Sequence, residues 1–419
     1  MKYKIYNCNS FNIYTIKTDR FKTSHLEVIF KNVLKKEEIG TYSFLADMLS
    51  EGCKKYPRKK DLITRFEELY KIVIYASTMR VGNVIDLHVS LDFINPEYIE
   101  DEGYIEDVIK TLFEVILNPN VCNDEFDLKT FNIVKERLRR EINSLKENPV
   151  KQSIKEAIKT MDSNSPTSYE ILGTIEELEN ITPAKLYNAY KSLRKNFKVD
   201  VFLIGNLDMD NVASLIKKYF KNRYIVSDNF EVMVDNKETK KVKEKTMKSD
   251  NIQTNLVMLF NLKNLSELEK NITLNCFNYL YGSGGLTSKL YKSIREENSL
   301  CYAINSMYLK YDKLLMVQIS LDNCNVKKAI SLVKKELKSM QNGNFSEEEV
   351  RDAINNMVIS LDMSLDNNIA ILNNYVFNIY DKLPSIEERK EYFKKLTKED
   401  IVNVSKKVKL NTIFTLEGR

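Results

Sequence analysis

The chain has 419 residues, 43% hydrophobic and 29% charged, a length that exceeds one ordinary core and implies a soluble globular protein of two or more domains. Its 64 Lys and Arg against 59 Asp and Glu leave a net charge of +5, and without a basic stripe interleaved with aromatics nucleic acid is not an expected partner. No run of about 18 apolar residues exists, so no membrane-spanning helix is expected.

The N-terminal stretch MKYKIYNCNSFNIYTIK lacks an unbroken apolar region and a small-residue cleavage site, so no export signal is read and a cytoplasmic location is expected. Cys8, Cys53, Cys122, Cys276, Cys301 and Cys324 are scattered without CxxC spacing. That pattern predicts reduced thiols rather than a disulfide frame or a zinc site.

In chain order, residues 23–30 form the first strongly apolar strand pattern. Ile85, Leu87, Val89 and Leu91 then alternate with Asp86, His88 and Ser90, the period of a half-buried strand. Ile105, Val108, Ile109, Leu112, Phe113 and Ile116 follow at helical spacing. Ile181-Thr182-Pro183 opens another helix before a strand at Val199 to Ile204. The same order returns about 230 residues later. Thr23 to Phe30 is echoed by Gln253 to Phe260, Ile85 to Asp92 by Leu315 to Asp322, and the helix by Val326 to Met340. Leu396-Thr397-Lys398 precedes the closing strand Thr412 to Leu416.

This duplication predicts an α+β fold of two homologous domains, 1–232 and 251–419. Each would be a mainly antiparallel sheet with helices on one face, the two facing each other as a clam shell. The lysine-rich stretch 233–250, which ends in DNKETKKVKEKTMKSD from Asp235 to Asp250, is expected to be a solvated connector. His25, Glu27, Asp86, His88 and Ser90 are expected on a polar sheet face left free of helices.

Gly282-Ser283-Gly284-Gly285 is not a phosphate loop, because the Gly-Lys-Ser/Thr ending and a preceding strand are missing. These glycines are expected to end one helix and let the next begin close by. Behind them Arg295 and Tyr302 are seven positions apart. A guanidinium fork and a phenol can together grip a peptide carbonyl without proton chemistry of their own.

The run Ile294-Arg295-Glu296, Leu300, Cys301, Tyr302, behind a small-residue turn and Ser288-Lys289-Leu290, resembles the C-terminal half of the pitrilysin/insulinase metallopeptidases, the inverzincins. The resemblance implies substrate binding by Arg295 and Tyr302 and by the turn at Gly284 and Gly285. Active members carry H-x-x-E-H on a helix in the N-terminal half, where the histidines and a distal glutamate hold zinc and the internal glutamate is the base. The matching helix here reads Tyr42-Ser43-Phe44-Leu45-Ala46-Asp47-Met48-Leu49. Ser43, Ala46 and Asp47 stand at the positions of first histidine, glutamate and second histidine, and Glu141 matches the distal ligand. His25 and His88, the only histidines, fall in strands and are not expected to complete a metal site with Glu141.

Without a metal, water keeps a pKa near 15.7 instead of about 7. The chain is therefore expected to bind no zinc and to be inactive alone. By resemblance to heterodimeric relatives it would be the non-catalytic subunit, lending Arg295 and Tyr302 to a homologous H-x-x-E-H subunit that carries the zinc and a peptide substrate. The alternative is a metal-free scaffold or peptide-binding protein.

Overall fold

A computed structural model describes residues 3–222, 224–237 and 239–419. Met1, Lys2, Arg223 and Glu238, the last inside the expected connector, lie outside the described residues. The chain begins with β1 (Lys4–Asn7), β2 (Phe11–Lys17) and β3 (Thr23–Val33), helix α1 (Ile39–Leu49), and the hairpin β4 (Val73–Val81) and β5 (Val84–Ile94). Helices α2 (Tyr104–Leu117), α3 (Leu128–Glu147), α4 (Pro149–Asp162) and α5 (Pro183–Asn196) precede strand β6 (Lys198–Gly205). Next come β7 (Lys243–Lys248), β8 (Thr254–Leu262), and the hairpin β9 (Cys301–Leu309) and β10 (Leu314–Leu321). Helices α6 (Val326–Gln341), α7 (Glu347–Ser364), α8 (Asn368–Val376) and α9 (Lys398–Ser405) lead to β11 (Val408–Glu417).

Two compact units result. One comprises Met1–Asn143, Tyr169–Val232 and Asp366–Tyr380, the other Ser144–Ser168, Met233–Leu365 and Asp381–Arg419. The first holds a six-stranded sheet in the order β1-β2-β6-β3-β5-β4, antiparallel except where β2 runs parallel to β6. The second holds five strands in the order β9-β10-β8-β11-β7, antiparallel except where β7 runs parallel to β11. The fold is α+β with two mainly antiparallel sheets, as the duplication predicts. The two helix openings also match, since Thr182 accepts from the Lys185 N–H and Thr397 forms a capping box with Asp400.

Alternation sets the cores. Ile85, Leu87, Val89 and Leu91 lie in the first core with Val108, Ile109, Leu112 and Phe113 of α2. Leu315, Val317, Ile319 and Leu321 lie in the second with Ala329, Val333 and Leu337 of α6.

Two expectations need correction. Lys243–Lys248, inside the stretch read as a connector, is strand β7, paired from Thr412↔Lys243 to Glu417↔Lys248. Its sequence KEKTMK has no apolar alternation because it is a solvent-exposed edge strand. The opposite sheet faces are also not free. In the second unit α4 covers that face, where Ala157 and Met161 meet Val257, Leu259, Met316 and Phe414. In the first, α8 packs near β6 and β3, and Tyr380 just beyond it donates to Asp86 Oδ2 at 2.6 Å. Asp86 and His25 are buried, and so are His88, Glu27 and Ser90.

Charges on that covered face are paired, as burial requires. Lys31 Nζ lies 2.9 Å from Asp200 Oδ2 and 2.6 Å from Asp228 Oδ1. His88 Nδ1 is 2.8 Å from Glu27 Oε1, while its Nε2 faces Asp86 Oδ2 at 3.8 Å, too long for a hydrogen bond. Burial alone would lower the His88 pKa, but the flanking carboxylates outweigh it and raise it to about 10. The flanking carboxylates thus favour the protonated form of this buried histidine.

Candidate functional site

The position matching the zinc helix is α1, and its three altered residues are each absorbed into structure. Ser43 is buried, with its hydroxyl 2.6 Å from Thr78 Oγ1 and donating to the Ile171 carbonyl at 2.5 Å. Ala46 is part of the core. Asp47 Oδ2 is 3.2 Å from Arg137 Nη2, and Glu51, just past the helix, is 2.8 Å from Arg137 Nη1. Burial raises the Asp47 carboxyl above its ordinary value, and Arg137 only partly offsets that. Glu141 is exposed on α3, one turn beyond Arg137.

A hydroxyl already spent on two hydrogen bonds, a methyl group and an ion-paired carboxylate do not make a zinc donor set, which takes three or four well-placed nitrogen, sulfur or oxygen ligands. Among the described residues no group of three or more His, Cys, Asp and Glu could hold a metal ion. The histidines do not make up the deficit. His25 Nδ1 is 2.7 Å from Asp92 Oδ1 and His88 is held by Glu27, so each is engaged by a strand neighbour rather than by Glu141.

The second unit holds the Arg/Tyr element. A wide-turned helical segment, Tyr279–Ser283, ends at Gly284, whose N–H donates to the Tyr279 carbonyl at 3.0 Å. A Cβ on Gly284 would stand 2.7 Å from that same oxygen, so the tight turn admits no side chain there. Gly285 follows with φ +59, a left-handed conformation that favours glycine. The chain re-enters a helical turn, Tyr291–Glu296, that presents Arg295, and then passes into β9.

Register changes where Tyr302 enters the sheet. Cys301 pairs with Leu321 and Ala303 with Ser320, leaving Tyr302 as the extra residue of a bulge on an edge strand. Bulges re-aim side chains, and Tyr302 is 53% exposed. Arg295 Nη1 donates to the main-chain carbonyl of Tyr302, and its guanidinium lies 5.2 Å from the Tyr291 ring. The Tyr302 hydroxyl donates to Asp322 Oδ1 at 3.1 Å, and that bond raises the phenol pKa. Arginine and tyrosine are thus brought together through a carbonyl.

Sequence reasoning missed three participants. Asp322 had a signal in the repeat, because its counterpart Asp92 likewise anchors a neighbouring strand through His25. Arg137 and Tyr291 had none, since a charged or aromatic residue on a helix resembles any surface position. Cys301 is buried, which pushes its thiol up and makes it a poor nucleophile. All six cysteines are free, with Cys122 and Cys324 exposed. Among the described residues no helix is long and apolar enough to cross a membrane.

Known proteins show the same architecture. Residues 180–357 match the family model described as the peptidase M16 inactive domain. The chain is similar to the probable inactive metalloprotease YmfF of Bacillus subtilis, 26% identical over 412 residues, covering 96% of this chain and 95% of the relative. Among solved structures, a conserved protein from Enterococcus faecalis superposes with a TM-score of 0.92 at 24% identity, covering 98% of this chain and 96% of that one. The peptidase M16 inactive domain from Pseudomonas fluorescens gives 0.82 at 16% identity, covering 100% and 99%. At these identities the two structures speak for the fold.

Proposed function

From the match of residues 180–357 to the peptidase M16 inactive domain and the absence of the zinc motif, we propose that this chain is an M16 (pitrilysin/insulinase) homologue acting as the non-catalytic subunit of a two-subunit zinc peptidase. Its partner would be a homologous subunit with H-x-x-E-H. The observation that carries the reading is the exposed Arg295/Tyr302 element. Gly284 and Gly285 shape its approach, a bulge turns Tyr302 outward, and Asp322 and Tyr291 steady the two side chains. Both side chains are tied to their neighbours yet stay at the surface, where a peptide main chain can reach them.

In the complex, Arg295 keeps guanidinium N–H groups beyond the one spent on Tyr302, and these donate to a carbonyl of the bound peptide. Zinc and its activated water belong to the partner. The chain's own part is to orient the peptide and stabilise charge on its carbonyl oxygen as the bond is attacked. The six free cysteines fit a reducing compartment, which supports a cytoplasmic location for the pair.

The test is peptide turnover by the complex purified with its partner, comparing the native chain with Arg295→Ala. Loss of turnover with the complex still assembled supports the assignment. Turnover at the native rate would remove Arg295 from the site and favour the metal-free scaffold.

A further inference from the structure

The vestigial zinc position poses its own question: what neutralises its carboxylates? Asp47 lies on α1 and Glu51 just past its end, and Glu51 is 9% exposed. Two acidic groups so close repel each other and lose hydration, so they need a nearby positive charge. In the active members this chain resembles, the position of Asp47 is a zinc-binding histidine, while Glu51 lies beside that site and matches no ligand; the donor set here does not fit a metal ion.

Arg137 of α3 supplies it. One guanidinium nitrogen, Nη1, lies 2.8 Å from Glu51 Oε1, and the other, Nη2, lies 3.2 Å from Asp47 Oδ2. Lys59 adds a second positive charge, with Nζ 3.8 Å from Glu51 Oε1 while donating to the Ser50 carbonyl. Arg137 sits one helical turn before Glu141, the residue expected as distal ligand, so it reaches α1 from the same helix that would have brought that ligand. A guanidinium cannot be deprotonated in this setting and presents a rigid fork that spans two acceptors.

We infer that Arg137 has taken over the electrostatic task of the metal: a cation built into α3 ties that helix to α1 and closes this place to divalent ions. The assignment concerns the first unit alone and does not depend on a partner subunit or on Arg295. A divalent ion approaching Asp47 and Glu51 meets a fixed positive charge already paired with one oxygen of each, Asp47 Oδ2 and Glu51 Oε1, so it is repelled and must compete for those oxygens.

Thermal unfolding of the full chain tests this, with zinc, with calcium and with EDTA, for the native protein, Arg137→Gln and Arg137→Lys. The native protein is expected to melt at the same temperature in all three. Arg137→Gln should melt about 2 °C lower and recover part of that loss with one of the metals, oxygen ligands suiting calcium. Arg137→Lys, which keeps the charge without the fork, should fall between the two and ignore both ions, and it provides the comparison if the glutamine variant does not fold. Zinc retained by the dialysed native protein would overturn the inference. An unchanged melting temperature for Arg137→Gln would do so as well. A destabilised Arg137→Gln indifferent to both metals would reduce Arg137 to an ordinary ion pair.

Discussion

The two halves of the chain repeat one architecture but treat their inherited sites in opposite ways. In the first unit Ser43, Ala46 and Asp47 are drawn inward, to a hydrogen-bonded hydroxyl, a core methyl and an ion pair. In the second, Arg295 and Tyr302 stay at the surface, each fixed by a neighbour without being buried. A site converted to packing and ion pairing cannot hold a metal, whereas exposed hydrogen-bonding groups held in place are what the proposed peptide-binding role requires. On the proposed reading, the contrast separates lost chemistry from retained recognition within one molecule.

The sharpest way to break that contrast is Arg295→Ala. Losing a preorganised donor of this kind costs roughly 100- to 1000-fold in turnover, so the complex should nearly stop cleaving peptide while the chain's melting temperature holds. Gly284→Ala comes next, because its Cβ would sit 2.7 Å from the Tyr279 carbonyl. A loss of about 2 kcal/mol in stability is expected from the forced shift, measured by denaturant unfolding. Tyr302→Phe removes only the hydroxyl and should cost about tenfold in turnover, one modest hydrogen bond.

The remaining prediction concerns the first unit and is read as a pH dependence rather than a loss of turnover. The His88 pKa, raised to about 10, exceeds its unfolded value of about 6.5. The stability from holding that proton is full below about pH 6.5, declines as pH rises toward 10, and is gone above it. His88→Gln should flatten this part of the stability profile in urea titrations at stepped pH. A native profile that rises with pH over that window would contradict the charged His88.

Much of this was legible in the sequence for identifiable reasons. Alternation at Ile85 to Leu91 and Leu315 to Leu321 reports which side of a strand meets a core, and both cores follow it. The missing ligands at Ser43, Ala46 and Asp47 could be read because a metal tolerates few residue types. Strand β7 was not legible, since KEKTMK is an exposed edge held by main-chain pairing to β11 rather than by apolar side chains. The covering of the polar face by α8 and Tyr380 was hidden too. Asp86, His88 and Lys31 look like solvated charges until their partners, distant in sequence, are known. Arg137 was illegible for the same reason, because its value lies in two carboxylates brought to it by the fold.

The central claim is that this chain recognises peptide while another subunit holds the zinc. It is tested most directly by native mass spectrometry with zinc quantification on the protein purified gently from its own host. The account predicts an assembly of about twice the 49.0 kDa of the chain, containing one zinc and a second, homologous subunit that carries H-x-x-E-H. A metal-free monomer or homodimer would contradict it and turn the search from substrates to binding partners.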